Sequence, residues 1–185
     1  MEDRPRKPLR EMTLEELWEL FPIVLSPHRS VWAQWAREEM MLLDSLLYDW
    51  CPSIFHIGST AIAGIWAKPT VDILVLLAPD VPWDRVRTRM EAAGYICMSA
   101  SDRRLSFNKG YTPQGYAERV FHIHFHRHGD SDEILFRDYL NSHPSAARDY
   151  ERLKRRLSRL YRHNRDAYTA AKGPFVRKIL AEALR

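Results

Sequence analysis

The sequence has no apolar run long enough to cross a membrane. Its longest uninterrupted apolar stretch, 73–78, is far shorter than the roughly 20 residues that a transmembrane helix needs. The first dozen residues also lack the apolar segment of a secretory signal. These two absences predict a soluble, cytoplasmic protein with no membrane partner.

Cysteine is scarce, and the two cysteines are not arranged for metal binding or redox chemistry. Cys51 and Cys97 lack the C-x-x-C spacing of such sites and predict reduced packing residues. The chain has no repeat or low-complexity segment, and its 45% hydrophobic and 28% charged residues are typical of a globular protein.

The length of 185 residues fits one domain with a helical extension. We expect residues 1–22 to form a loose tail and a short helix, with Thr13 and Glu16 as its capping box. We expect residues 23–185 to form a single domain. The short helix would dock on this domain or on a second subunit, so a homodimer stays open.

Hydrophobic periodicity predicts an α/β (α+β) fold, in which a mixed β-sheet is flanked by helices and followed by a helical C-terminal region from about residue 131. The predicted strands are 53–58, 70–77, 95–99, 103–110 and 119–126, and the later ones extend the sheet partly antiparallel. The predicted helices are 29–49, 83–94, 131–142, 144–164 and 166–183, the last with a break at Gly173-Pro174.

A Gly-Ser turn follows the first predicted strand. Gly58 lets the backbone approach a phosphate closely, and Ser59, Thr60 and the amides after them would face the same anion. Ser59 could equally serve only as the cap of the short helix that follows.

Asp72 is the single carboxylate in the apolar strand 70–77. An ionised carboxylate in such a strand is unfavourable unless it is paired, hydrogen-bonded or metal-bound. Its position near the start of the strand indicates a cleft, and the alternative is a structural role in which Asp72 pairs with Lys68 or Arg104 or caps a neighbouring loop.

Four sequence blocks resemble the GrpB family, a branch of the nucleotidyltransferase-like superfamily. They are "HIGSTAIAGIWAKPTVDILV", "FHIHF", "FRDYLNSHPSAARDYERLKRRL" and "YTAAKGPFVRKIL", and the resemblance extends over residues 23–183. It implies a short mixed sheet, a Gly-Ser turn that grips nucleotide phosphates, and carboxylates on neighbouring strands for two-metal phosphoryl transfer. Gly58, Ser59 and Asp72 match this pattern, but the second carboxylate falls at Leu74, which cannot bind a metal.

Histidines on the strand 119–126 are candidates to replace the missing acids. His122 and His124 share one face of this strand and can converge with Asp72 on one ion or phosphate, and His56 could join them. Such a cluster suits zinc, manganese or iron better than magnesium. The alternative is an amphipathic edge strand whose histidines face water or satisfy buried carbonyls.

Three lysines are placed by the sequence to reach a phosphate near Ser59: Lys68, Lys109 and Lys172. The alternative for each is an ordinary solvent-facing lysine.

The basic residues are concentrated at the C-terminal end. Residues 143–185 carry 12 of the 28 basic and 4 of the 24 acidic residues, and an arginine stripe runs along the helix 144–164. Such a stripe can follow nucleic acid, although pairing with acidic groups of the same protein explains it equally well.

These observations predict binding of a nucleotide or another phosphorylated small molecule, with a divalent metal (Mg, Mn or Zn). The metal ligands would be Asp72, His122, His124 and His56. If the protein is a transferase, Asp72, His122 and His124 would be its catalytic residues and a hydroxyl its acceptor. The alternatives are a catalytically degenerate ligand or metal binder and a nucleic-acid-associated module.

Overall fold

A mixed α/β architecture defines the protein, for which a computed structural model describes residues 7–185. The α-helices are α1 (Leu14–Leu20), α2 (Val31–Leu47), α3 (Trp83–Ala92), α4 (Asp132–Ser142), α5 (Pro144–Leu160) and α6 (Arg165–Ala183). The strands are β1 (Ser53–Ile57), β2 (Val71–Leu77), β3 (Ile96–Ala100), β4 (Leu105–Thr112) and β5 (Gly115–Arg127). Within this described range, no helix is both long and apolar enough to span a bilayer.

The five strands form one sheet in the order β1-β2-β5-β4-β3. Only β2 and β5 are parallel, and the other neighbouring pairs are antiparallel. This arrangement confirms the predicted mixed sheet with flanking helices. The central position of β2 and β5 explains their apolar character, because both strands have covered faces.

One face of the sheet packs against α2 and α3. Trp32 and Leu43 of α2 are fully buried against Ile73, Val75 and other apolar residues of the sheet. The amphipathic spacing of α2 produces this contact, since residues three and four apart lie on one helical face.

The other face carries the C-terminal helices only at its β1 end. There α4, α5 and α6 pack on one another and on Ile62 and Ile65, which follow β1. Ile134 of α4 reaches Leu74 and Leu76 of β2. Towards β3, α1 and the segment before it lie over the same sheet face. An open cleft remains between these residues and the C-terminal helices.

Two local expectations were wrong. Helix α6 does not break at Gly173-Pro174 but runs through Pro174; Tyr168 and Ile179 are buried on either side of it, so packing outweighs the lost backbone hydrogen bond. Cys51 and Cys97 are free thiols as expected, but Cys51 is exposed rather than packed.

A buried ion pair anchors α2 to β4. Glu39 has a side chain only 4% exposed, and its carboxylate accepts from Lys109 Nζ at 2.8 Å and from Tyr95 Oη at 2.5 Å. Removing one partner of a buried pair leaves an uncompensated charge.

We therefore expect Lys109→Met to lower the free energy of unfolding by about 2 kcal/mol, because Glu39 stays buried without its cation. Adding Glu39→Gln should recover most of the loss, since the amide keeps an acceptor for Tyr95. Urea unfolding of the wild type and both variants measures this. A Lys109→Met protein as stable as the wild type would contradict it.

Candidate functional site

The site is built on one row of side chains that crosses the whole sheet. Strand pairing aligns Ile57 with Asp72, Asp72 with His122, His122 with Asn108, and Asn108 with Ile96. Directly paired residues of neighbouring strands project to the same face. The row therefore places a carboxylate, an imidazole and a carboxamide side by side on one face of the sheet.

Asp72 is hydrogen-bonded by both predicted histidines. Its Oδ1 lies 3.2 Å from Nδ1 of His122 and 3.5 Å from Nε2 of His124. Burial alone would raise the pKa of Asp72, but these hydrogen bonds outweigh it and hold the pKa well below its usual value. The carboxylate is thus ionised at neutral pH.

The other nitrogen of His122 is occupied by Arg165. The guanidinium donates to Nε2 of His122 at 3.0 Å and to Oη of Tyr111 at 3.1 Å. Arginine has no acceptor, so we assign the ring proton to Nδ1 of His122, which donates it to Asp72. Burial lowers the pKa of His122 to about 4, so this imidazole is neutral and orients the carboxylate.

Gly58 makes close contact with Asp72. It adopts φ +71°, a left-handed backbone conformation, and a Cβ built on it would collide with Oδ2 of Asp72 and lie 2.9 Å from the aspartate Cβ. Only glycine satisfies both the conformation and the contact. The Gly-Ser turn therefore lies directly against the carboxylate.

The turn divides its side chains between two faces. Ser59 lines the cleft and interacts with the buried Tyr150 of α5. The Thr60 hydroxyl is buried and bonds Nε2 of His56 at 2.9 Å. His56 is paired with Ile73 and so projects to the α2 face, opposite Asp72. The structure does not bring His56 or the Thr60 hydroxyl into the cleft.

Three lysines and Arg165 form a cationic wall beside Asp72, in a cleft that Asp132, Glu133 and Asp166 also line. Lys68, Lys154 and Lys172 line the same cleft of about 870 Å³ as Asp72 and Ser59. Burial lowers the pKa of Lys68 to about 7 and that of Lys154 to about 7, and it also lowers the pKa of Lys172. Repulsion from neighbouring cations adds to the effect of burial, and Asp72 offsets it only in part.

Lys109 is not part of this wall, because it pairs with Glu39 on the opposite sheet face.

Two basic residues of the cleft, Lys154 and Arg165, were not predicted from the sequence. Lys154 is 1% exposed, and its Nζ donates to the Trp66 carbonyl at 2.6 Å. The available signal was its helical spacing from Tyr150 and Leu157, which puts a lysine in the buried stripe of α5. The buried stripe ends at Leu157, because Leu160 is 66% exposed.

The cluster fits a divalent cation in part. The candidate ligand atoms of Asp72, His122 and His124 lie within 4.8 Å of one another. Because Nδ1 of His122 carries the ring proton, the arrangement offers a cation the Asp72 carboxylate, together with Nε2 of His124 in the tautomer that does not donate this nitrogen's proton to Asp72. Further ligands would have to come from a bound molecule or water. Leu74, at the position of the second carboxylate, is fully buried.

His126, Asp130 and Glu133 form another group of side chains with metal-ligand spacing. Arg104 donates to both oxygens of Asp130, at 2.9 and 2.7 Å, and lies 4.0 Å from Glu133. The guanidinium supplies the positive charge that these carboxylates need, so the group forms an ion-pair network.

Solved structures establish the class of fold. The Cid1 poly(U) polymerase shares it with a TM-score of 0.50 at 13% sequence identity, over 76% of this chain and 44% of that one. A GrpB protein from Enterococcus faecalis is more similar, with a TM-score of 0.74 and 29% identity over 87% of this chain and 97% of that one. The fold is therefore nucleotidyltransferase-like.

Sequence comparison narrows the class to one family. The model of the GrpB protein family matches residues 22–182, and the chain belongs to this family. A UPF0157 protein of Pseudomonas aeruginosa is 40% identical over 134 residues, which are 71% of this chain and 55% of that protein's length. The glutamate-rich protein GrpB of Alkalihalophilus pseudofirmus is 33% identical over 166 residues, which are 86% of this chain and 95% of that protein's length.

The contact between Gly58 and Asp72 can be tested with a matched pair of substitutions. Gly64 also has a positive φ, +73°, but a Cβ there would meet nothing within 4 Å. We expect Gly64→Ala to lower the free energy of unfolding by about 1 kcal/mol from backbone strain alone. Gly58→Ala should lower it by at least about 1 kcal/mol more, because the added methyl group displaces Asp72 and because ψ of −170° places Gly58 in a backbone region that alanine avoids. Equal losses in urea unfolding would show that Asp72 is not held against the turn.

Proposed function

We propose that the cleft binds the phosphate groups of a nucleotide or another phosphorylated small molecule. One observation carries this proposal: Lys68, Lys154, Lys172 and Arg165 line one half-enclosed cleft, none of the four forms a salt bridge within the described residues 7–185, and burial lowers the pKa of all three lysines. A phosphate would supply the negative charge that these groups lack.

Ser59 and the backbone after Gly58 would complete the phosphate site. The φ of Gly58 turns the chain sharply at the end of β1, and Ser59 then begins the short helical turn Ser59–Ala61 beside the cleft. Its hydroxyl can donate to a phosphate oxygen. The lysines would approach the same phosphate from α5, α6 and the loop before β2.

A divalent cation would explain why an ionised Asp72 lies within an anion site. Without a cation, Asp72 and a phosphate would repel each other. Asp72 and His124 would hold the ion together with phosphate oxygens, a mixed oxygen and nitrogen set that suits manganese or zinc as well as magnesium. When bound, the ion would polarise the phosphoryl group.

Binding is better supported than nucleotidyl transfer. Two-metal transfer needs carboxylates that bridge a pair of ions, and the second position is Leu74, which packs against Ile57 and Leu76. Cid1 is named a poly(U) polymerase and described as bound to MgATP, but its likeness to this chain extends to the fold alone. We therefore favour a ligand-binding member of the fold, without a second metal.

The arginine stripe of α5 gives less support to nucleic-acid binding. Arg152 pairs with Asp149, and Arg155 pairs with Glu151 and lies over the Trp66 ring, 4.5 Å from its centroid. These local contacts partly neutralise the stripe.

The lysine wall can be tested by exchanging one lysine on α6. Lys172→Met should weaken pyrophosphate binding at least tenfold, because it removes a charge-assisted contact. It should leave the melting temperature in anion-free buffer unchanged or raised, because burial disfavours this charge in the empty cleft. Lys178→Met is the matched control, since Lys178 is 69% exposed on the same helix. Isothermal titration calorimetry on the three proteins measures the affinity. Equal affinities for pyrophosphate would refute the proposal.

The lysine pKa values also predict how anion binding depends on pH. Lys68 and Lys154 are protonated below their folded-state values of about 7 and lose charge above them. Affinity for sulfate, whose charge stays constant over this range, should therefore fall as pH rises from about 6 to about 9. Calorimetric titrations at several pH values measure this. An affinity that stays constant or increases with pH would contradict it.

A further inference from the structure

A second chamber adjoins the cationic cleft and differs from it in character. It has a volume of about 790 Å³ and lies between α1 and the sheet face formed by β3 and β4. Leu17 and Trp18 form one side of it, and Ile96 and Met98 form the other. Ile96 is 43% and Met98 55% exposed, which is unusual for large apolar side chains that share one concave surface.

The two chambers meet at His122. Its Nδ1 faces Asp72 in the cationic cleft, and its Nε2 faces Tyr111 and Arg165, which line the apolar chamber. His124 also lines both chambers. One molecule could therefore occupy both at once.

The floor of the apolar chamber contains a polar group without a partner. Asn108 is 4% exposed and lines the chamber, and its carboxamide makes no hydrogen bond to any residue of the described range 7–185. Its polar atoms are not sealed in the core but open onto the chamber. A carboxamide that faces a largely apolar chamber without a protein partner is free to pair with a ligand that supplies both a donor and an acceptor.

The cross-strand row relates this carboxamide to the phosphate site. Asn108 pairs with His122, and His122 pairs with Asp72. The two Cα positions are thus two strand spacings apart, about 10 Å. A ribose can connect a group beside Asn108 to a phosphate beside Asp72.

We propose that the apolar chamber holds the heterocyclic base of a nucleotide, with Asn108 hydrogen-bonded to the base edge. The proposal rests on the proposed phosphate site and names the class of its ligand. A base matches the chamber in two respects: its flat faces are apolar enough to lie against Met98 and Trp18, and its edge carries adjacent donors and acceptors that a carboxamide can pair with. Ribose 5-phosphate has the same phosphate but lacks the base.

The test compares ligands on the unaltered protein. Calorimetry with the four ribonucleoside 5′-monophosphates, ribose 5-phosphate and pyrophosphate should show at least one nucleotide binding about tenfold or more tighter than ribose 5-phosphate. If every nucleotide binds only as well as ribose 5-phosphate, the base site is refuted while the phosphate site stands. If pyrophosphate and ribose 5-phosphate do not bind at all, the phosphate site itself fails, and the base site fails with it.

Two variants locate the effect. Asn108→Leu keeps the side-chain size but removes the hydrogen bonds, and it should abolish most of the nucleotide's advantage while leaving pyrophosphate affinity unchanged. Met98→Glu should do the same by placing a charge beside the base. Met41→Glu is its control, because Met41 is 73% exposed on α2, away from both chambers. A nucleotide preference that survives both variants would place the base elsewhere and overturn the proposal.

Discussion

The hydrogen bond between His122 and Asp72 determines how the rest of the site is organised. It keeps an ionised carboxylate inside an otherwise apolar sheet, and Arg165 maintains it by fixing the tautomer of the imidazole. An aspartate in this position would be unfavourable without such donors. The Gly58 turn then packs against the same carboxylate, so the backbone that faces the cleft is positioned by the residue that would bind a cation.

The lysines around this carboxylate are positive charges that are only partly compensated in the folded protein. Lys154 is almost fully buried and stabilised by the Trp66 carbonyl and the Tyr150 ring, yet its pKa is lowered by burial. Without a bound anion, the charged cleft is therefore less stable than an apolar one would be, as is common for binding sites. A phosphate would relieve the repulsion among the lysines, and a cation on Asp72 would relieve its repulsion from that phosphate.

Much of this arrangement was predictable from alternation in the strands. The apolar pattern of β2 and the alternating histidines of β5 place Asp72, His122 and His124 on consistent faces, and the structure brings them together. The same method failed for His56, because the left-handed turn at Gly58 separates strand β1 from the cleft-facing residues that follow it. It failed for Lys109 because alternation shows that successive residues of a strand project to opposite faces of the sheet, but it does not show which of the two faces carries the site. Lys154 was missed because tertiary contacts determine whether a lysine on the apolar side of a helix is buried, and sequence periodicity carries no information about those contacts.

The family resemblance predicted the fold from local sequence blocks, and the comparisons confirm this fold. Leu74 shows that a protein can keep the fold without keeping the residues of its chemistry.

A crystal structure with pyrophosphate and Mn²⁺ tests the central claim most directly, with anomalous scattering used to locate the metal. The account predicts pyrophosphate between the Nζ atoms of Lys68 and Lys172, and manganese bound to Asp72. Pyrophosphate found only on the exposed arginines of α5, with the cleft free of anion and metal, would contradict it.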